Sequence, residues 1–273
     1  MIGHEQLVRD FTRLASQDKL GHGYIFFGPP RVGKRLFALS LANLLERKTF
    51  SDEGKVLIDV SLVLSENQSI GIEAIRAAKD FLMQTPIASS RRALIIDNAE
   101  LLTLEAQNAL LKTAEEPPPH GLVILVTSEP QFLWPTLVSR LQQIFFGAVP
   151  RAEIEKWLVA QEMAKQPAAA KLAKAVSGEP GLAWALLHDT AFIEKKNAAD
   201  ELMALRPEAR AERIKVLVDD ENFSLTDFLD ALMIALALAG KKHAETWHRV
   251  LELRQSAGYF NLNPRLQLTA LLT

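Results

Sequence analysis

The sequence predicts an α/β domain with a doubly wound parallel sheet in its N-terminal half, followed by an all-helical remainder. Two observations carry that fold class: five short apolar runs alternate with stretches of helical length, and the alternation stops near Pro150. The runs are "YIFF" (24–27), "VLIDV" (56–60), "ALIID" (93–97), "LVILVT" (122–127) and "QIFF" (143–146). Each is nearly continuous in apolar residues, as strands buried on both faces are. The stretches between them are long enough for right-handed crossovers.

The elements follow in order. Leu7, Phe11 and Leu14 recur at helical spacing and give an opening helix that ends near "KLGHG". Helices are expected over 34–47, 69–84 and 103–116, and "EEPPPHG" stops the third, because three prolines and a glycine cannot continue it. After "GAVPRAEIEKWL" the text is rich in alanine and leucine, which places a boundary at Pro150. Gly178, Pro180 and Gly181 break the helical text of "SGEPGLAWALLHD", and a second boundary is expected near Asp189. The expected domains are 1–149, 150–189 and 190–273.

Composition removes several function classes. With 48% hydrophobic and 23% charged residues the chain has the balance of a folded globular protein. A formal net charge of −2 argues against a polybasic surface that coats nucleic acid or an anionic membrane. The absence of cysteine excludes disulfides, thiolate nucleophiles and thiolate zinc sites. His243 and His248 are five apart, so they do not share a helical face. "MIGHEQLVRDF" has no apolar core of signal-peptide length, and the longest apolar run, "ALMIALALAG", is too short to span a membrane. A cytoplasmic protein without membrane contact is the expectation.

One motif carries recognisable chemistry. "GPPRVGKR" fits G-x-x-x-x-G-K at Gly28, Gly33 and Lys34, directly after a strand and opening a helix, the context of a phosphate-binding loop. Backbone N–H groups and the helix dipole suit phosphate there; the competing reading is a tight strand-to-helix turn. The residue after the lysine normally offers Mg²⁺ a hydroxyl, but Arg35 carries only donors and a fixed positive charge. "ALIIDNAE" delivers Asp97 at the carboxyl end of a strand, where open α/β sheets bind ligands. A water-activating site needs a basic carboxylate next, and Asn98 has none; Glu100, two residues further on, is expected to point elsewhere. The metal hydroxyl and the base are both missing.

The segment "IIDNAELLTLEAQNALLKTAEEPPPHGLVILVTSEPQFLWPTLVSRLQQ" closely resembles the AAA+ subunits of the bacterial replicative clamp loader, "NALLKTAEEPP" most specifically. "LGHGYIFFGPPRVGK", "SIGIEAIRAAKDFL", "SGEPGLAWAL" and "NLNPRLQLTALL" are further landmarks in the family's order, so the resemblance spans nearly the whole chain. It implies an AAA+ phosphate-loop domain with a parallel sheet, a small helical lid and an all-α C-terminal collar. Within the family the chain is most similar to the delta-prime type of DNA polymerase III subunit, generally a stator whose own ATP site is degenerate. Active members carry a phosphate-sensing arginine in the lid where this chain reads Gly181, Leu182, Ala183. The family's Ser-Arg-Cys motif, whose arginine reaches a neighbour's ATP site, appears as Ser139, Arg140 and Leu141. The resemblance thus makes Arg140 a trans arginine finger, against the alternative of a surface ion pair. Leu141 replaces the family cysteine and is expected to pack.

The resemblance further implies gamma/tau-like and delta-like subunits as partners, with the sliding clamp and primer-template DNA reached through the assembly. ATP is an optional ligand of the site formed by Gly28, Gly33, Lys34, Arg35, Asp97 and Asn98, and no cofactor is required. Family members usually insert four zinc-binding cysteines after the phosphate loop; "NLLERKTFSDEGKVLIDV" has none, so no zinc and a short loop are expected. Ser69, as a helix cap, with Arg76 and Lys79 are candidate contacts to DNA phosphates, against the alternative of a solvated helix face. Lys112, Glu115 and Glu116 lie either at a subunit interface or on an exposed charged face. Two rival functions stay open: a gamma/tau-like ATPase that turns over ATP itself, and a stand-alone AAA+ nucleic-acid-binding protein, against which the net charge weighs.

Overall fold

The computed structural model describes residues 1–51, 56–65, 69–220, 223–240, 243–257 and 262–272. The chain divides into two compact units, Met1–Val149 and Pro150–Thr273.

The first unit is built on five parallel strands, β1 (Gly23–Phe27), β2 (Val60–Val63), β3 (Arg92–Ile96), β4 (Gly121–Thr127) and β5 (Gln142–Phe145), in the order β2-β3-β4-β1-β5. Helices cover both faces. α1 (Glu5–Ser16) and α2 (Lys34–Arg47) lie on one, where Phe11, Phe37 and Leu41 meet Tyr24, Phe26, Ile95 and Ile124. α3 (Ile72–Leu82), α4 (Leu104–Glu115) and the short α5 (Pro135–Val138) cover the other, where Ile75, Leu110 and Leu137 meet Ile25, Leu94 and Leu125. Adjacent residues of one strand therefore feed different cores, as the period of two requires. On the α1/α2 face Phe11, Tyr24, Phe26, Phe37 and Phe146 form a ring cluster with centroids 5.1–5.7 Å apart in edge-on and tilted pairs, the geometry aromatic quadrupoles favour.

The edge strands correct the sequence expectation. The apolar run 56–60 is not the second strand: Val56 and Ile58 are exposed, and pairing with β3 begins at Val60. Asp59 explains the shift. It is buried, and its carboxylate accepts the N–H groups of Ile87, Ala88 and Ser89 while lying 3.6 Å from Arg92 Nε. The residues before Val60 thus anchor a loop. β5 is an edge strand too, with Gln142, Gln143 and Phe145 exposed, so it is not buried on both faces. The expected loop after α2 lies partly in 52–55, outside the described residues.

The second unit is helical throughout its described residues: α6 (Arg151–Ala160), α7 (Ala168–Ala175), α8 (Pro180–His188), α9 (Thr190–Ala204), α10 (Pro207–Val218), α11 (Leu225–Ala239), α12 (Ala244–Ala257) and α13 (Pro264–Leu272). The longest apolar run in the sequence is α11, buried continuously from Phe228 to Leu236 among Ile214, Val250 and Leu268. Its lack of a polar face reflects this central position. No helix among the described residues is long and apolar enough to cross a membrane. The expected boundary near Asp189 falls inside this unit. Arg254 on α12 bonds both Glu179 oxygens just before α8, at 2.9 and 2.8 Å, and pairs with Asp230 on α11 through Nε. Burial alone would lower this guanidinium's pKa; the two carboxylates more than reverse that.

Candidate functional site: a self-paired phosphate loop and an outward arginine

The carboxyl ends of β1, β3 and β4 are neighbours in the sheet, and the candidate residues gather there. β1 passes into the loop at Gly28, whose φ of +138° and close approach to Phe146 exclude a side chain: a Cβ would stand 2.1 Å from the Phe146 carbonyl oxygen. Gly33 precedes α2 with φ +102°, again a conformation glycine adopts without strain. Val32 sits in the core, and its carbonyl lies 3.1 Å from His4 Nε2. The loop has the backbone expected from its glycines.

Its lysine faces inward. Lys34 Nζ donates to the carbonyl oxygens of Gly28 at 2.7 Å and Pro29 at 2.6 Å, and more weakly to Ser128 Oγ at 3.4 Å. Arg35 Nη1 lies 3.5 Å from Asp97 Oδ2. Burial pushes the Asp97 carboxyl up from the ordinary range, while Arg35, the Asn98 N–H and Lys34 act against that rise. Asn98 is exposed and left-handed at φ +52°, opening a single turn of 3₁₀ helix. Glu100, expected to point elsewhere, turns instead toward the end of β4. Its Oε1 lies 3.4 Å from the Ser128 N–H, and its Oε2 is buried without a hydrogen-bond partner.

This donor set does not fit Mg²⁺. A magnesium ion in such a corner needs an oxygen from position 35 and a metal-facing acid; here position 35 supplies a guanidinium, and that guanidinium is seated on the acid. Among the described residues there is no cluster of three or more His, Cys, Asp or Glu side chains able to hold a metal.

Arg140 lies elsewhere, on the turn after α5. Leu141 beside it is buried against Gly23, where a Cβ would stand 2.2 Å from Leu141 Cδ2. The Arg140 side chain is over a third exposed; Nη1 donates to the Thr136 carbonyl at 2.7 Å and Nη2 lies 2.7 Å from Glu115 Oε1. Ser139 Oγ donates to the same carbonyl at 3.0 Å. The segment before α5 is hung from α4 by Gln107, which is buried: its amide donates to Phe132 O at 3.1 Å, and its carbonyl oxygen accepts the Trp134 N–H at 2.8 Å. Sequence reasoning missed Gln107, whose signal was an amide at core spacing within an apolar helix. It also missed Ser128, the first residue past β4.

The candidate DNA contacts are differently placed. Ser69 does not cap α3; Ile70 pairs with Leu102 as an isolated parallel bridge, and the helix starts after Gly71 without a side-chain cap. Arg76 pairs with the exposed Glu73, and Lys79 donates to the Ala109 carbonyl of α4 at 3.0 Å. In the second unit Leu182 and Ala183 of α8 are buried. Lys112, Glu115 and Glu116 are exposed.

Comparison with known proteins gives this geometry a family. Residues 3–150 match the family model described as "DNA polymerase III, delta subunit". The tau subunit of DNA polymerase III from Bacillus subtilis is 30% identical over 163 residues, 55% of this chain and 29% of that protein. The delta-prime subunit from the same organism is 29% identical over 196 residues, 66% of this chain and 58% of that one. The matches span under two thirds of these relatives' lengths. Among solved structures, a DNA polymerase III gamma subunit-related protein from Thermotoga maritima aligns at a TM-score of 0.58 with 19% identity, over 97% of both chains. The RuvB Holliday junction branch migration motor from Thermotoga maritima aligns at 0.50 with 16% identity, over 97% of this chain and 91% of that one. These likenesses show the fold, which is AAA+ with a C-terminal helical region. The chain belongs to the DNA polymerase III delta-subunit family, a clamp-loader-related family of AAA+ fold.

Proposed function

We propose that this chain is a delta-prime-like stator of a clamp loader: a subunit that does not hydrolyse ATP and that extends Arg140 into the ATP site of a neighbouring subunit. The observation that carries the reading is the Arg35 guanidinium on Asp97 at 3.5 Å. A cation that cannot leave has replaced the one that hydrolysis requires. With Asn98 in the base position and Lys34 donating to its own loop, the corner retains an architectural strand-turn-helix role. ATP is at most an optional ligand there.

The partners in this reading are gamma/tau-like and delta-like subunits in the cytoplasm, loading the sliding clamp onto primer-template DNA. A finger supplied in trans stabilises charge developing on the transferred phosphoryl group, and such groups are worth on the order of 10³-fold or more in rate. Of the candidate DNA contacts, Arg76 is the one whose partner, exposed Glu73, a phosphate can replace. Such a contact is to the backbone, without sequence preference.

A gamma/tau-like ATPase is the second reading, favoured by the 30% identity to a tau subunit. Turnover by the isolated chain separates the two. The stator reading expects no magnesium-dependent ATP hydrolysis above a Lys34→Ala control. Hydrolysis that Lys34→Ala abolishes would establish the ATPase instead.

A further inference from the structure

Arg140 is a long side chain on a surface turn, yet its guanidinium is held at two points. One anchor is the Thr136 carbonyl of the four-residue α5; the other is the carboxylate of Glu115, the last residue of α4. Both anchors stand on packed elements. Leu110 and Ala114 fix α4 in the core, Leu137 and Leu141 fix the turn, and Gln107 joins the two. Helix carboxyl ends carry partial negative charge, which adds to the hold on a cation. The two contacts use two of the guanidinium's five N–H donors and leave three for an acceptor outside the chain.

We propose that Glu115 is a positioning residue for Arg140: it fixes the direction of the guanidinium before a neighbouring subunit presents a phosphate. This rests on the finger reading above. The freedom of a long side chain is then lost in the unassembled subunit, not in the transition state of hydrolysis. A carboxylate beside the finger also offsets part of its charge. Glu115 is about half exposed, at 46% side-chain accessibility, so water screens that opposing effect and orientation outweighs neutralisation.

The test uses the assembly reconstituted from this chain, gamma/tau-like and delta-like subunits, clamp and primed DNA. It compares wild type, Glu115→Ala, Glu115→Gln, Arg140→Ala and the double variant Glu115→Ala/Arg140→Ala. Glu115→Ala is expected to lower kcat at the site served by roughly two- to fivefold, the most a half-exposed pair is worth. KM for ATP and assembly should not change. Glu115→Gln, which keeps an acceptor, should recover most of the loss, and Glu115→Ala should add nothing to Arg140→Ala. Unchanged or faster turnover with Glu115→Ala, or an effect that persists without Arg140, overturns the positioning role while leaving the finger in place. Loss of assembly in both Glu115 variants would assign the residue to the subunit contact and overturn it as well. If Arg140→Ala has no effect in a complete assembly, the finger reading itself fails.

Discussion

Arg35 Nη1 lies 3.5 Å from Asp97 Oδ2, so two positions that would share a metal ion in a hydrolysing site share a charge directly. Asp97 is mostly buried, and burial raises its pKa despite Arg35, the Asn98 N–H and Lys34. A carboxyl whose folded pKa lies above its unfolded one holds an extra proton in the folded state. Stability then falls as pH rises from the ordinary carboxylate range through the raised folded value.

Asp97→Asn should therefore raise the Tm at pH 7, with the gain shrinking as pH falls toward about 4, where an unfolded aspartate begins to take up its own proton. Arg35→Ala should lower the Tm at pH 7, because it removes the main charge opposing the rise, and should matter less at about pH 4. Thermal melts of both variants at the two pH values check the sign. An Asp97→Asn variant that is less stable at pH 7 would show that the Arg35 pair outweighs burial.

Asp59 should behave in the opposite sense. Burial alone would raise its pKa, but the N–H groups of Ile87, Ala88 and Ser89, with the Arg92 guanidinium, hold it below the ordinary range. Its stabilising effect is present above the unfolded pKa and is lost as pH falls through the folded one. Asp59→Ala leaves Arg92 and three N–H groups without this partner and is expected to cost about 3 kcal/mol at pH 7. Urea titrations should show the wild type and the variant converging as pH drops below about 4.

Gly28→Ala tests whether the loop glycine serves backbone packing. The added methyl would meet the Phe146 carbonyl at a position with φ +138°, and a loss of about 2–3 kcal/mol is expected from strain and displacement. The variant should melt earlier whether or not nucleotide is present. Unchanged stability would mean that the strand-to-helix corner can relax around a side chain.

The sequence was most informative where an element is central and its pattern uniform. The span expected for α2, 34–47, is the span observed, because it runs from a loop glycine to the end of an apolar face. Thr103, expected as the first residue of the third helix, is instead its cap and accepts the Ala106 N–H. β3 and β4 are buried along their whole length and read as apolar runs. The edges were harder to read. "VLIDV" is more apolar than "VSLV", yet the second is the strand, because Asp59 needs a buried position that only the fold of 87–92 supplies. At the candidate site, residue chemistry showed that Arg35 cannot ligate a metal. Its pairing with Asp97 and the approaches of Glu100 and Lys34 to Ser128 depend on strands distant in sequence coming side by side. Local pattern carries no signal for that. Glu115 and Arg140 are separated in the same way: each sits in a recognisable motif, and only the packing of α5 beside α4 brings them together.

The most direct test of the stator account is ATP turnover by the reconstituted assembly, with wild-type chain or Arg140→Ala, beside turnover by the isolated chain. The account predicts an inert isolated chain and an Arg140→Ala assembly that forms normally but hydrolyses ATP far more slowly at the neighbouring site, by on the order of 10³-fold. Magnesium-dependent turnover by the isolated chain, or a complete assembly indifferent to Arg140→Ala, would contradict it.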